Sequence, residues 1–481
     1  MSRVVMFVFN DCTMDTRVLR EAATLQAAGH QVTIMARPRD VRSPEGERET
    51  LDNGVEIVRV PLPQGWRRWY VLARYPWRAR GWIRFRLAYD LHRPPFGLLE
   101  AVGIVLGLLV MIPWIALTAA AYGLQRALGG GRPRPGGDLI DWWVRWRWSI
   151  QGWARAAAGA APAADVYHGH DLTGLPGAIA ASATNGGLVV YDSHEVFIES
   201  GSNARRPRWA RALLARDERR WTREAAALVT VNRGLEEELG RRYRPRRTVV
   251  VYNCPPRWTP PEPRPDHLRR AAGIPVDAPV VLYHGGFSAD RGLLPLAEAM
   301  RESGLERAHL VYLGFGDLRE RLEQEAADPR YGGRLHVIPG VPPDVLNEWV
   351  ASADVGAMPN QPVTLNERLS TPNKLFESIA AGIPVVLSDF PERRRIVMED
   401  PDGPLGAVCD PTKPADIARA IRSLIDLPPA EAAALRLRCL KAAHERWNWE
   451  TEGAKLVALY EDLARPAASQ PLEMAEDRGG A

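Results

Sequence analysis

The segment PNKLFES places a lysine and a glutamate, Lys374 and Glu377, one helical turn apart. Thr371 can cap this helix, Pro372 suits its first position, and Asn373 lies beside Lys374 in the first turn. Backbone N–H groups at the helix start and the Lys374 ammonium would together bind a diphosphate. The carboxylate of Glu377 could accept hydrogen bonds from ribose hydroxyls. The alternative is an ordinary capped surface helix with a Lys–Glu pair.

A glycine pair and an arginine could supply a second part of the same site. In YHGGFSADRG a predicted strand leads into Gly285 and Gly286, and the next helix is predicted to begin near Arg291. Two glycines let the backbone approach a phosphate closely, and the arginine could neutralise its charge. The sequence LGFGD after the following strand could also line a nucleotide pocket, although a plain turn explains it equally well.

Polar side chains end two predicted strands in the first half of the chain, in DVYHGHDL and YDSHE. They are His168, His170, Asp171, Asp192, His194 and Glu195. The carboxyl ends of parallel strands face the ligand crevice of an open α/β sheet, so these groups could contact a substrate or acceptor. A zinc site from His168, His170 and His194 has no characteristic spacing, and we expect no metal. Satisfied polar groups at a domain interface are the alternative.

Other chemistries lack support in the sequence. There is no G-x-S-x-G elbow and no Walker loop, so hydrolase and kinase activities are not indicated. The four cysteines, Cys12, Cys254, Cys409 and Cys439, are far apart and form no C-x-x-C pair. This spacing favours a reducing compartment and argues against structural zinc. Arg outnumbers Lys 58 to 4, which is typical of a GC-rich bacterial genome.

The elements that position these residues repeat a β-α pattern in two series. Apolar strands alternate with helices in residues 1–254, and again in residues 267–446 after a Pro-rich linker at 255–266. Bare apolar strands predict parallel sheets covered on both faces. We therefore predict an α/β fold of two doubly wound, Rossmann-like domains facing each other across a cleft. A last helix at 447–465 precedes a polar tail at 466–481.

An unusual insertion, residues 62–160, separates two parts of the first series. It holds 14 Arg, no Lys and four acidic residues, and ten of the 16 Trp of the chain. Its central run, residues 101–125, has no charged residue and is interrupted by Pro113. A single membrane crossing would place strands of one sheet on opposite sides of the bilayer. Each half of the run is also too short to span a hydrocarbon core of about 30 Å.

The Trp- and Arg-rich flanks of this run favour association with a membrane surface. Indole rings lie at the headgroup level, and arginines attract anionic lipid. We therefore predict a hairpin in one leaflet or an in-plane anchor formed by residues 66–156. The alternative is an apolar subdomain packed on the protein or on a partner. Nucleic acid is not expected, since the aromatic residues cluster around an apolar run instead of along a basic groove.

In their order and spacing, these segments resemble the GT-B glycosyltransferases, specifically the large retaining family 4. The resemblance rests on RVLREAATLQAAGHQVTI, the His170 segment, YDSHE, PNKLFES and the closing WNWETEGAKLVALYEDL. It covers nearly the whole chain apart from residues 62–160 and the tail. In such proteins the last helix crosses back onto the first domain.

The resemblance implies retaining, metal-independent hexosyl transfer from a nucleotide sugar, with no cofactor. Arg291 and Lys374 would bind the diphosphate, Glu377 the ribose, and His170 would contact the donor sugar. The family commonly has a first glutamate where this chain has Leu369, and Glu367 is close but out of register. A first phosphate-binding arginine of the family falls near Phe287, so neither role is transferred.

We expect a glycosyltransferase at the cytoplasmic face of the plasma membrane, held there peripherally or monotopically by its insertion. Its acceptor would be a lipid-linked saccharide in surface polysaccharide synthesis. A nucleotide-sugar epimerase on the same fold is one alternative. A non-catalytic interaction subunit is the other, and fold alone does not choose among them.

Overall fold

The computed structural model describes most of the chain in two compact units. The described residues are 1–40, 45–62, 149–201, 203–204, 206 and 208–465, together with 102, 106, 109, 113, 116 and 146. The first unit comprises Met1–Tyr191 and Arg205–Ala225, and the second comprises Asp192–Ala204 and Ala226–Ala481. The domain boundaries at 254 and 266 stay predictions.

The first sheet has eight strands in the order β3-β4-β2-β1-β5-β6-β7-β8. All of the described pairings are parallel except β3 with β4. Apolar sequences such as RVVMF and QVTIMA are buried along nearly their whole length, as expected for strands covered on both faces. The strands are β1 Arg3–Phe7, β2 Gln31–Ala36, β3 Glu47–Thr50, β4 Glu56–Arg59, β5 Val166–His170, β6 Leu188–Ser193, β7 Ala227–Thr230 and β8 Thr248–Val250.

The second sheet has six parallel strands in the order β11-β10-β9-β12-β13-β14. Alternate residues of β9 lie in two separate apolar cores, with Val281 and Tyr283 in one and Val280 and Leu282 in the other. Both faces of this sheet are therefore covered, which confirms the predicted parallel-sheet α/β fold class. The strands are β9 Val280–Gly286, β10 His309–Phe315, β11 Leu335–Pro339, β12 Val355–Met358, β13 Val385–Ser388 and β14 Gly406–Cys409.

Fifteen helices of at least five residues are described between and after these strands. They are α1 Thr16–Ala27, α2 Gln151–Ala160, α3 Asp171–Asn185, α4 Arg208–Glu224, α5 Arg233–Tyr243, α6 His267–Ala272, α7 Leu293–Ala299, α8 Arg319–Ala326, α9 Leu346–Ala351, α10 Leu365–Leu369, α11 Asn373–Ala380, α12 Pro391–Met398, α13 Pro414–Ile425, α14 Pro429–Glu445 and α15 Trp449–Ala464. Side chains cap several of them: Asp15 accepts from the Val18 N–H at the start of α1, and Asn448 accepts from Thr451 in α15.

The last helix, α15, contacts β8, the edge strand of the first sheet. The Arg247 guanidinium lies 2.9 Å from the Asp462 carboxylate, and the Tyr252 N–H donates to Glu452 at 2.9 Å. Buried Trp449 and Leu456 lie on the same helix. These contacts fix α15 to the residues just before and just after β8.

Most of the predicted insertion lies outside the described residues. Its last part forms α2, which packs against α3 with the Trp153 ring fully buried, so residues 151–160 belong to the core of the first unit. Five positions of the apolar run, 102, 106, 109, 113 and 116, are helical and exposed, and Pro113 is one of them. Within the described part of the chain, no helix is both long enough and apolar enough to cross a membrane.

Candidate functional site

The second sheet has a topological switch point between β9 and β12. The chain adds β10 and β11 on one side of β9 and then returns to add β12, β13 and β14 on the other. Ligands of open α/β sheets bind beyond the carboxyl ends of the strands at such a point. The β9 strand ends there in Gly285 and Gly286, and Arg291 follows in a short 3-10 helix, Ala289–Arg291.

Lys374 is the second residue of α11. The residue that precedes the helix is Pro372, in an extended conformation, and no side chain caps the helix. The prediction that Thr371 caps it is therefore wrong; the Thr371 hydroxyl instead lies 3.3 Å from the Asn232 side-chain amide. An uncapped helix start presents N–H groups and the positive end of the helix dipole, which favours an anion.

The Lys374 ammonium is held against β9. Its Nζ donates to the Tyr283 hydroxyl at 3.2 Å and lies 4.6 Å from the centre of that ring. The Tyr283 hydroxyl in turn donates to the Gly286 carbonyl at 2.8 Å. Burial, together with the nearby charge of Arg291, lowers the pKa of Lys374 from 10.5 to about 8. An anion placed here would raise this pKa again and so favour the charged ammonium.

Gly285 has a conformation that the site requires. Its φ is +105°, and a Cβ there would lie 3.2 Å from Lys374 Nζ, so a larger residue would be strained and would crowd the ammonium. Gly286 has open space where its Cβ would be. The LGFGD glycine Gly314 pairs with Gly285 across the two strands, where a Cβ would strike the Gly285 carbonyl oxygen at 2.0 Å. Strand packing accounts for that glycine.

Arg291 meets a buried carboxylate that the sequence did not assign. Its Nη1 lies 3.4 Å from Glu367 Oε1, and the same oxygen accepts from Asn360 Nδ2 at 2.6 Å. Arg393, fully buried on α12, lies 3.3 Å from this oxygen and donates to the Ser370 hydroxyl at 2.9 Å. Burial lowers the pKa of Arg393 to about 10, and the Glu367 carboxylate opposes that shift.

The structure therefore joins Arg291, Lys374 and Glu377 around the end of β9, with Gly285 and Gly286 between them. Glu377 Oε2 lies 2.9 Å from Nε2 of the buried His284. Asn373 accepts a hydrogen bond from the Asn253 side chain at 3.0 Å and is exposed. His284 was missed, although its position as the residue before the glycine pair was a usable signal.

Glu367 reaches the cluster from α10, a separate short helix. Thr364 caps that helix by accepting from the Glu367 N–H, and the chain becomes extended again at Ser370. The Leu369 carbonyl accepts from the Asn232 side-chain amide at 2.9 Å. Leu369, the position given by the family spacing, thus contributes only its backbone carbonyl here. The carboxylate that lies beside Arg291 belongs to Glu367, two residues earlier.

His194 and Glu195 lie in the loop that directly follows β6, within the stretch Asp192–Ala204 that belongs to the second unit. His194 Nε2 is 2.7 Å from Asp192 Oδ2, and Glu195 Oε2 accepts from the Ser200 hydroxyl at 2.5 Å. The next residue, Val196, donates its N–H to Asn366 on α10 at 3.0 Å. This loop is therefore fixed beside the helix that carries Glu367.

His170 and Asp171 lie in the first unit, at the carboxyl end of β5. The first sheet also reverses its strand order here, between β1 and β5. The His170 ring is buried and stacks on His168 with centroids 4.3 Å apart, and Asp171 has a left-handed φ of +53°. Ligand atoms of Glu21, His168 and His170 lie within 4.8 Å of one another. Because Arg17 pairs with Glu21 at 2.9 Å, the carboxylate charge already has a partner.

Two family models match the chain, and together they cover more than half of it. "Glycosyl transferases group 1" matches residues 278–426, and "Glycosyl transferase 4-like domain" matches residues 115–254. The first match contains Gly285, Arg291 and Lys374, and the second contains His170. The chain belongs to the GT-B glycosyltransferases.

Curated relatives and solved structures agree with this family. A D-inositol 3-phosphate glycosyltransferase of Xylanimonas cellulosilytica is 31% identical over 220 residues, 44% of this chain and 50% of the relative. A GDP-mannose-dependent phosphatidylinositol monomannoside mannosyltransferase of Mycolicibacterium smegmatis is 29% identical, over 41% and 52% of the two chains. The chain thus spans about half the length of these relatives.

Solved structures share the fold over almost the full length. Sucrose-phosphate synthase of Thermosynechococcus elongatus superposes with a TM-score of 0.65 at 16% identity, covering 96% of this chain and 99% of the other. The Anabaena protein HepE in complex with UDP and glucose gives 0.58 at 13% identity, covering 96% and 100%. At these identities the likeness establishes the fold.

Proposed function

We propose that the chain transfers a sugar from a nucleotide-sugar donor to a saccharide acceptor with retention of configuration. The observation that carries this proposal is the cluster of Lys374, Arg291 and the uncapped start of α11 at the switch point of the second sheet. Two cations and a helix start suit a diphosphate. Among the solved structures with this fold, Anabaena HepE is in complex with UDP and glucose.

The reaction requires that negative charge be stabilised on the leaving diphosphate as the sugar departs. Lys374 and Arg291 would supply that stabilisation, and the site would position the acceptor hydroxyl on the same face of the sugar. Glu377, fixed by His284, would accept hydrogen bonds from the ribose. His170 would contact the donor sugar, as in the family. We propose that no metal or cofactor takes part.

Donor binding should weaken as the pH rises above about 8. The Lys374 pKa of about 8 means that the ammonium is mostly present at pH 7 and about one-tenth present at pH 9. Because the diphosphate needs the charged form, its dissociation constant should rise about tenfold between pH 7 and pH 9. Calorimetric titration of the preferred nucleoside diphosphate at several pH values would measure this.

The matched variant for this titration is Lys374→Arg. A guanidinium stays charged over the whole range, so its profile should be flat even where binding is weaker. An equally steep profile in the arginine variant would assign the pH dependence to another group.

Product analysis separates transfer from the two alternatives. The chain would be incubated with UDP-, GDP- and ADP-sugars, with and without a polyprenyl-linked saccharide acceptor, and the products examined by mass spectrometry and NMR. Transfer predicts an acceptor-dependent product with the anomeric configuration of the donor. An epimerised nucleotide sugar without acceptor would identify the epimerase, and no turnover of any donor would favour the interaction subunit.

A membrane location with a lipid-linked acceptor is the second part of the proposal. Val102, Leu106 and Leu109 are helical and 50–58% exposed, on one face of a helix at i, i+4 and i+7. They lie within the segment that holds 14 arginines and ten tryptophans. One relative is named for a phosphatidylinositol monomannoside. We propose that this segment holds the protein at the inner face of the plasma membrane, where it would extend surface polysaccharide.

Vesicle sedimentation tests that location. Leu106→Glu with Leu109→Glu should lower the fraction bound to phosphatidylglycerol vesicles at least about tenfold, because two leucines leave the apolar face. Leu437→Glu is the control, since Leu437 is 66% exposed on α14 in the second unit. Equal binding by all three proteins would show that this face does not contact lipid.

A further inference from the structure

A cavity in the second unit lies at the opposite edge of the sheet from the Lys374 cluster. Its volume is about 650 Å³, and it is lined by residues at the amino ends of β9, β12 and β13 and by α13 and α14. The strand β9 has seven residues, so its start at Val280 lies about 20 Å from Gly286. A molecule in this cavity would therefore occupy a site separate from the donor site.

The central carboxylate of the cavity, that of Asp354, already accepts three hydrogen bonds from within the protein. Asp354 accepts from Arg264 at 3.0 Å, from Arg269 at 2.5 Å and from the Val280 N–H at 2.7 Å. This carboxylate, which has four lone-pair positions, thus accepts hydrogen bonds from two guanidinium groups and one backbone N–H. Asp354 brings one negative charge to two arginines, and a second carboxylate also lies beside Arg269.

The other carboxylates on the cavity wall also face arginines. Asp277 lies 3.3 Å from Arg307, and Asp266 lies 3.7 Å from Arg269. Both aspartates therefore already have cationic neighbours within the protein. They are poorly placed to neutralise a further cation.

Arg436 is the cation that remains. Its Nη1 is directed to the Ala381 and Gly382 carbonyls at 3.3 and 3.4 Å, and its buried Nη2 has no acceptor within the described part of the chain. Burial and the nearby Arg264 charge lower its pKa, while exposed Glu262 offsets only part of this. A guanidinium whose donor lacks a partner is a site where an anionic oxygen would be stabilised.

The rest of the cavity wall is apolar, including Val276, Leu424 and Leu427. We propose that the cavity binds a small organic anion whose phosphate or carboxylate contacts Arg436 and whose apolar part lies against these side chains. Binding here also reaches the donor helix, because Arg436 holds the carbonyls that directly follow α11. The proposal does not depend on the donor function of Lys374.

Calorimetric titration of the full chain with phenyl phosphate and with benzoate tests the site. Titration with inorganic phosphate shows what the anionic group contributes, and titration with benzyl alcohol shows what the apolar ring contributes. Lys374→Met should retain phenyl phosphate binding, which excludes the donor site. Arg436→Gln should weaken it about tenfold or more, since it removes a charged hydrogen bond. Val276→Glu should also weaken it by repulsion, and as Val276 is 84% exposed this change leaves the core intact.

The matched control is Arg438→Gln on the same helix, where the guanidinium donates to the Pro404 carbonyl instead of lining the cavity. Its affinity should equal that of the unaltered chain. Stronger binding of phenyl phosphate than of benzoate would identify a phosphate ligand, and the reverse a carboxylate. Binding that is lost in Lys374→Met and kept in Arg436→Gln would overturn the proposal, as would no saturable binding of either anion.

Discussion

Replacing Lys374 with methionine should weaken nucleoside diphosphate binding by about a hundredfold and, in the same protein, stabilise the ligand-free fold. The ammonium lies beside Gly285, 3.2 Å from where a Cβ of that residue would be, and a charged hydrogen bond to phosphate contributes about 1.5–3 kcal/mol. Its pKa of about 8 instead of 10.5 shows that the folded protein disfavours the charge. Removing that charge should raise the free energy of unfolding by about 2–3 kcal/mol at neutral pH.

The pH dependence of unfolding provides a second readout of the same group. Because the folded pKa lies below the unfolded value, the unfolded state binds more protons between pH 8 and 10.5. Stability contributed by this group should therefore rise with pH across that window, and the methionine variant should lack the rise. Lys413→Met is the control, since Lys413 is 71% exposed and pairs with Asp410 at the surface. Unchanged nucleotide affinity in Lys374→Met would remove this lysine from the site.

Replacing Glu367 with alanine should destabilise the protein by about 3–5 kcal/mol and abolish donor binding. The variant leaves the buried Arg393 guanidinium without its carboxylate, and an uncompensated buried charge is costly. It also removes the acceptor for Arg291 and the negative charge that offsets Lys374, so three cations would repel one another. Chemical denaturation followed by circular dichroism would measure the change.

A surface carboxylate gives the comparison for this variant. Glu323 pairs with Arg319 on α8 at 2.8 Å, and both side chains are exposed. Glu323→Ala should change the free energy of unfolding by less than about 0.5 kcal/mol. Equal effects at the two positions would mean that Glu367 does not neutralise the buried arginine.

The two-sheet fold was predictable because buried parallel strands are simple apolar runs. Apolar runs such as QVTIMA and VGAM lie in the two predicted β-α series, and they form the strands Gln31–Ala36 and Val355–Met358. The strands Glu47–Thr50, Glu56–Arg59 and Gly406–Cys409 were missed. Glu47–Thr50 is polar and half exposed, and the other two strands have runs of only two or three apolar residues, so none of them has the apolar signature.

The local motifs of the site could also be recognised in the sequence. The residues that contact them from distant parts of the chain could not. Lys374 and Glu377 share one helix, and Gly285 and Arg291 follow one strand. Arg393 instead stands in a row of three arginines, PERRR. Nothing local shows that it alone is buried while Arg394 is exposed and Arg395 is partly exposed. Arg393 is the buried one because its guanidinium packs against Glu367 and Ser370.

Glu367 was passed over because a fixed spacing was applied to a backbone that does not keep it. The chain leaves the helix after Leu369, runs extended through Ser370 and Pro372, and only then begins α11. The carboxylates of Glu367 and Glu377 therefore lie on two different helices, α10 and α11. The distance from Glu367 to Arg291 depends on this break, which the residue count alone does not describe.

The most direct measurement is a thermal-shift panel of UDP, GDP and ADP and their common sugar conjugates on the full chain. If Lys374 and Arg291 form a donor site, one nucleotide at about 100 times its dissociation constant should add about 2.7 kcal/mol to the free energy of unfolding and raise the unfolding temperature by a few degrees. That nucleotide would name the base of the donor. No shift with any nucleotide or nucleotide sugar would contradict a donor site at Lys374 and Arg291.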